Sequence, residues 1–321
     1  MASYQRLPSG NWRALFYVNG QRRSLTRPTR RECVKAVEVF EYATNSGLTV
    51  GQAVDEYITT HTNTLSPSTV ASFRTQQKHH FLDLQRLRVS AVTPTEINRA
   101  INAEASQYAP KTVRNAYGLI RTALLPYLPI KSWDIRLPQK AKKEIRIPSE
   151  QEVKTLLDRS SVSDVHTCLQ LAAFCGLRRS EISALTYADV QNGYININKA
   201  MVRDENNIWR IKKPKSYAGY RKIKLPSVID LGHGKPSEHI TTLTPSQITD
   251  RCLYFSNGTI SPHQLRHYYA SVLLKLGVPN KYAARQMGHA GEQMLQQVYQ
   301  HLFPDAEAEF DNRVADLVSK L

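Results

Sequence analysis

Residues 261–301 read SPHQLRHYYASVLLKLGVPNKYAARQMGHAGEQMLQQVYQH, and they hold His263 and Arg266, a Gly288-His289 step and Tyr299. His263 and Arg266 stand three apart, so on a helix opening near Pro262 both project from one face and can reach a single anion. A phosphate is the obvious guest. Gly288-His289 has the form of a helix end, where glycine takes the left-handed cap conformation and the chain turns the histidine back toward the first pair. Tyr299 follows ten residues later, within reach of the same point. Its phenol becomes a nucleophile once it loses a proton whose ordinary pKa is about 10. Singly these are ordinary residues: a surface arginine, a capping Gly-His, a core tyrosine. Their weight comes from combination with the rest of the chain.

The whole chain has 321 residues, enough for two or three domains with their own cores. Forty-three Lys and Arg against twenty-seven Asp and Glu leave a formal charge of +16. Such an excess calls for a polyanionic partner, because neutralising phosphates releases condensed counterions. Nucleic acid leads, with an anionic membrane surface as the competitor. The N-terminal MASYQRLPSGNWRALF has no apolar run of the signal-peptide type, and no stretch approaches the roughly 20 apolar residues that span a bilayer. The expectation is a cytoplasmic protein acting on DNA, without a membrane. Cys33, Cys168, Cys175 and Cys252 are scattered, with no CxxC or Cys/His ligand spacing, and read as reduced thiols. No metal and no cofactor are expected.

The positioning elements follow from local pattern. Trp12, Ala14, Phe16 and Val18 alternate with Arg13, Leu15 and Tyr17, which predicts a strand. Asn19-Gly20 supplies a two-residue turn into a second strand over 21–26, and residues 4–7 add a third. Thr29-Arg30-Arg31-Glu32 is a capping box opening a helix to about Thr44, with Val34, Val37 and Phe40 inward. A basic ribbon carrying Arg13, Arg22, Arg23 and Arg27 could dock in a DNA major groove, against the plainer reading of a solvated charged face. From 48 to 125 the pattern turns helical, with start signals at Thr49, Ser66-Pro67, Thr93-Pro94 and Pro110. This predicts a compact four-helix all-α domain with Lys78, Lys111 and Arg114 available to phosphates. Residues 126–148 carry four prolines and a basic series that includes Lys140, Lys142 and Lys143, and read as an extended linker.

A last domain starts at the Ser149-Glu150-Gln151-Glu152 capping box. A helix over about 163–175 ends at Gly176, and GLRRSEISAL then places Arg178 at the start of a new helix. Strands are expected over 193–200, 208–213 and 220–225, with Lys215 at the turn before the third, and 233–246 reads as a loop.

Taken in order, GLRRSE (176–181), KSYAGYRKIKLP (215–226), HQLRHYYAS (263–271), MGH (287–289) and YQH (299–301) resemble the tyrosine recombinase, or phage integrase, family. The upstream layout is similar to that of the larger phage and conjugative-transposon integrases with an N-terminal arm-binding domain. Two positions depart from the family pattern: Met287 stands where leucine is usual, and Leu295 where threonine is frequent. The resemblance implies six catalytic residues: Arg178, Lys215, His263, Arg266, His289 and Tyr299. Tyr299 would attack a DNA phosphodiester, and Arg178 and Arg266 would grip its non-bridging oxygens. Lys215 would be the acid for the departing 5′ oxygen, with Lys212, Lys213 and Lys222 as nearby competitors. His263 would assist proton transfer at the nucleophile, His289 would donate to the phosphate, and Glu181 would support the cluster. The product is a 3′-phosphotyrosyl bond, and exchange through a Holliday junction needs no ATP.

The expected fold is multidomain. A β-ribbon plus helix forms an arm-site domain over 1–47, and an all-α four-helix core-binding domain spans 48–125. A basic linker over 126–148 leads to a mixed, mainly α catalytic domain with a small antiparallel sheet over 149–303. The stretch 304–321 is locally acidic, with Phe310, Val314, Leu317 and Leu321 at helical spacing, and is expected as a tail helix for protomer contacts. The expected function is site-specific recombination for a mobile element by a homo-tetramer on double-stranded attachment sites, with an excisionase or a host DNA-bending protein as possible partners. The alternatives are a non-catalytic DNA-binding regulator and a type IB topoisomerase-like strand cleavage.

Overall fold

Alternation builds the first element of the structure, a computed structural model that describes residues 2–18, 21–45, 47–128, 130–140, 146–214 and 219–288. Strands β1 (Ser3–Arg6), β2 (Trp12–Val18) and β3 (Gln21–Arg27) form an antiparallel sheet in that order. Tyr4, Ala14 and Leu25 lie in register on one face. Ala14 and Phe16 are buried against helix α1 (Arg30–Asn45), where Phe16 meets Phe40 edge-on with ring centroids 5.2 Å apart. Thr29 caps α1, its hydroxyl accepting the Glu32 amide at 3.2 Å. Of the residues expected inward, Val37 and Phe40 are buried, while Val34 is half-buried and Cys33 takes the interior place.

The helical stretch begins with α2 (Val50–His61), α3 (Pro67–His79), α5 (Pro94–Ala105) and α6 (Pro110–Leu124), each opening at its anticipated signal. At α2 the capping box is complete: the Thr49 hydroxyl accepts from the Gln52 main-chain amide, and Gln52 Oε1 accepts from the Thr49 amide. A further short helix, α4 (Leu82–Arg86), follows Phe81, which sits in the left-handed region at φ 56°. Glu104 holds that corner by accepting from the Phe81 amide at 2.6 Å and meeting His80 Nδ1 at 2.8 Å. One apolar cluster joins Ala14 and Phe40 to Ile58, Ile97, Leu124 and Ile130.

The first half of the expected linker is packed chain. Tyr127, Leu128 and Ile130 are buried, and Trp133, Ile135 and Leu137 lie against the same cluster. Asn98 brackets the segment, donating to the Asp134 carbonyl and accepting from the Arg136 amide, and Arg114 Nε donates to the Pro138 carbonyl at 2.7 Å. Burial of these apolar side chains fixes the course of the segment despite its prolines.

The chain divides into two compact units, one of Met1–Lys142 with Arg203–Ile208, the other of the described residues in Lys143–Val202 and Trp209–Leu321. The second unit contains α7 (Glu150–Ser160), α8 (His166–Phe174), α9 (Arg179–Ile182), α10 (Pro245–Phe255), α11 (Pro262–Lys275) and α12 (Asn280–Gln286). Its sheet is antiparallel in the order β4 (Val190–Gln191), β5 (Tyr194–Ile197), β8 (Arg221–Lys224), and a separate ribbon pairs β6 (Ala200–Arg203) with β7 (Trp209–Lys212). Ile195 faces Ile223 across the sheet, and both join Leu169, Leu171, Leu177 and Leu265 in the core. Among the described residues this gives twelve α-helices with small antiparallel sheets. Helix α10 was not anticipated: the loop expected over 233–246 stops at Thr244, whose hydroxyl accepts the Gln247 amide to start the helix at Pro245.

Gly176 turns the chain between α8 and α9 with φ +63°, and a Cβ there would lie 2.4 Å from Cδ1 of Tyr269. A left-handed backbone and a clash with a packed ring add together. Gly176→Ala should therefore lower the free energy of unfolding by about 3 kcal/mol in urea denaturation; an unchanged midpoint would contradict this placement of the turn.

Candidate active site

The turn at Gly176 delivers Arg178 to the N-cap of α9, where two bonds that it donates tie it to Glu181 one helical turn later. The Arg178 amide donates to Glu181 Oε2 at 2.8 Å, and Arg178 Nη1 donates to Oε1 at 2.7 Å. Glu181 is only 6% exposed. Its second partner comes from β8: Arg221 grips both carboxylate oxygens, Nη1 to Oε1 at 2.9 Å and Nη2 to Oε2 at 2.7 Å. Burial raises the Glu181 pKa, but the Arg221 hydrogen bonds and charge, followed by Arg178 and Arg266, overcome it and bring it down to about 2. The sign of the linkage follows: this carboxylate stabilises the fold fully above about 4.5, and that contribution drains as the pH falls toward 2.

Helix α11 supplies the facing residues. Ser261 caps it by accepting the Gln264 amide, and Pro262 occupies its first turn. His263 and Arg266 then lie on one side, as their spacing predicts. Arg266 is 1% exposed and donates to the main-chain carbonyls of Gly176 and Met287. Its Nε is buried without a hydrogen-bond partner among the described residues. Burial, and then Arg178, pull the Arg266 pKa below the usual guanidinium range, while Glu181 opposes them. Loss of water around the ring, and then Arg266, Arg178 and Arg179, lower the pKa of His263 and favour its neutral form. His267, one turn on, packs edge-on to His263 with centroids 4.4 Å apart, and burial, followed by His263 and Arg266, brings its pKa down to about 4.

Arg178, Arg179, Ser180, Thr249, His263 and Arg266 line one pocket of about 490 Å³. The residues behind it bind the end of α12 by its main chain: Arg221 Nε donates to the Gln286 carbonyl at 2.8 Å, Arg266 to that of Met287, and Arg178 Nη2 to that of Gly288 at 3.0 Å. Gly288 itself has φ +57°, the cap conformation expected of it. Three guanidiniums thus lie around one carboxylate, and the local excess of positive charge suits the pocket to an anion.

Of the residues picked out in the sequence, Arg178, Glu181, His263 and Arg266 are brought together here. Lys215, His289 and Tyr299, with the tail 304–321, lie outside the described residues. Arg221, and the Arg179–Thr249 contact at 2.5 Å on the pocket wall, were missed. The KIKLP run around Arg221 gave a β signal, and its inward parity could have marked the arginine as buried. Sheet parity also divides the ribbon arginines. Arg13 and Arg22 fall on the face opposite α1, with Arg13 paired to Thr26 and Arg22 to Tyr17. Arg23 and Arg27 pair with Phe16 and Trp12 on the α1 side and are half-buried. Lys78, Lys111 and Lys140 are exposed, Arg114 is spent on the Pro138 carbonyl, and Lys142 and Lys143 lie outside the described residues.

Residues 146–305 match the phage integrase family, and all six residues implied by the resemblance fall inside that segment. The chain carries the catalytic domain of a tyrosine recombinase. The recombinase fold is similar to that of the Tn1549 transposon integrase solved with transposon right-end DNA, at 18% identity and TM-score 0.64, covering 82% of this chain and 99% of that one. It is also similar to a lambda integrase dimer bound to a COC′ core site, at 13% identity and TM-score 0.58, covering 92% and 93%. At these identities the likeness is one of fold. No curated protein matches the chain. No helix among the described residues of the recombinase is long and apolar enough to cross a membrane.

Proposed function

We propose that this recombinase is the integrase of a mobile DNA element, joining and excising it at double-stranded attachment sites. The observation that carries this reading is the convergence of Arg178, His263 and Arg266 on one positively charged pocket inside a phage integrase family segment. Tyr299 attacks the scissile phosphorus in line, forming a tyrosyl–phosphate bond at the 3′ side and breaking the bond to the 5′ oxygen. Arg178 and Arg266 stabilise the charge that builds on the non-bridging oxygens. Lys215 delivers the proton to the leaving 5′ oxygen, His263 takes part in moving the phenolic proton, and His289 donates to the phosphate. The 5′ hydroxyl of a partner duplex then attacks the phosphotyrosine, and the sequence of exchanges passes through a Holliday junction. Each ester is traded for an ester, so no external energy source enters.

The ribbon domain over 1–47 is assigned to arm sites and the helical domain over 48–125 to core sites, with the basic stretch to 148 between these and the catalytic domain. A homo-tetramer on DNA, joined through the tail 304–321, completes the reading. An excisionase or a DNA-bending protein sets direction, and the work takes place in the cytoplasm. Support comes from the integrase fold, solved on DNA in other members, and from the net charge of +16. The test is to incubate the full-length chain with a nicked half-site from the mapped element end and look for a covalent protein–DNA adduct on a denaturing gel. Adduct formation is expected, and recombination between two paired sites should follow. Binding without any adduct would favour the regulator, and adduct with supercoil relaxation but no exchange the topoisomerase-like reaction.

A further inference from the structure

Arg221 opens β8 with its side chain turned inward, while Lys222 and Lys224 point to the exposed face of the same strand. The side chain is 1% exposed, so it has no access to a bound duplex. Its guanidinium is used on all three nitrogens: Nη1 and Nη2 fork onto Glu181, and Nε reaches the Gln286 carbonyl. Glu181 in turn holds the Arg178 amide and Nη1. One arginine therefore connects the support of Arg178 to the last residue of α12, after which the chain runs on through Gly288 to His289. Without Arg221, Glu181 keeps a single hydrogen-bonded cation, Arg178, with only the nearby charge of Arg266 besides, in a buried place. The carboxylate would then pull Arg178 deeper, and the end of α12 would lose a donor.

We infer that Arg221 is a positioning residue for DNA strand cleavage, holding Glu181 under Arg178 and fixing the C-terminal turn of α12. This rests on the proposed recombinase chemistry. Arg221 works through Glu181 and the Gln286 carbonyl, and only Arg178, beyond them, meets the phosphate. Its planar fork is what the site uses, so lysine restores the charge without restoring the geometry.

The test compares the full-length parent with Arg221→Met and Arg221→Lys on the same nicked half-site. Half-site affinity should stay within about 2-fold of the parent, because no DNA contact is removed. Misplacement of a phosphate-binding group by about an ångström can cost about 100-fold in rate, so adduct formation should fall by about that factor in Arg221→Met and by about 10-fold in Arg221→Lys. A second half-site, with a neutral methylphosphonate at the scissile position, separates positioning from general support. The parent's preference for the charged phosphodiester should narrow by about 10-fold in the variants as Arg178 loses its aim. A residue that merely supports the fold would slow both substrates alike. An unchanged preference ratio, or a parental adduct rate in either folded variant, would overturn the inference. If Arg221→Met does not fold, Arg221→Lys carries both measurements. Absence of adduct from the parent itself would bring down the functional reading and this inference with it. A parent that reacts alongside variants that match it would bring down this inference alone.

Discussion

Tyr299→Phe is expected to leave half-site affinity unchanged and to remove the covalent adduct, a loss on the order of 10⁶-fold in cleavage if it matches the removal of other enzymatic nucleophiles. The substitution deletes one oxygen and keeps the ring, so it should leave packing undisturbed while removing the nucleophile. The proposed phosphate cage of Arg178 and Arg266 would remain, and with it the grip on the scissile phosphate. That separation makes the result decisive between classes of function. A regulator that only binds DNA would not register the change in any assay, whereas a recombinase loses every step after binding. The measurement is a mobility-shift titration beside a denaturing gel with end-labelled half-site, and an adduct from the phenylalanine variant would sink the assignment.

Arg266→Ala should lower the adduct rate by about 10³-fold, the cost of deleting a preorganised donor to a developing oxyanion. It should also destabilise the domain by about 3 kcal/mol, because the Gly176 and Met287 carbonyls lose a buried donor and Glu181 loses a nearby cation. The two effects are separable: urea denaturation at pH 7 reads the second, and single-turnover cleavage well below the unfolding midpoint reads the first. Arg266→Lys should recover part of the stability and little of the rate, since an ammonium cannot fork onto two acceptors and a phosphate together. A native cleavage rate from Arg266→Ala would contradict the anion site built around it.

Much of this site was legible because its signals are local. Ser261-Pro262 fixes where α11 begins, so the phase of His263 and Arg266 follows from 3.6-residue geometry. Gly176 and Gly288 mark two turns because the backbone enters the left-handed region at both. The pairing of Arg221 with Glu181 was not legible, because Glu181 lies forty residues earlier and meets it only once Ile197 pairs with Arg221 across β5 and β8. Nor was the division of the ribbon arginines seen from composition. Arg22 and Arg23 are neighbours in sequence and opposites in the sheet, a consequence of period 2 that a count of basic residues ignores. Two further misreadings share a cause: prolines were taken as loop punctuation over 126–137 and at Pro245, where the apolar neighbours and the Thr244 cap decide otherwise.

The acceptors that seat Arg178, Arg221 and Arg266 at the end of α12 are carbonyls of Gln286, Met287 and Gly288. Every residue type carries that group, so drift in the side chains at 286 and 287 cannot erase it. Such a pocket can change its lining over many generations while its charge stays in place. Variation should therefore be permissive at 286, confined to apolar side chains of similar volume at the fully buried 287, and costly at 181 and 221, where the partner is a side chain that a single codon change can remove.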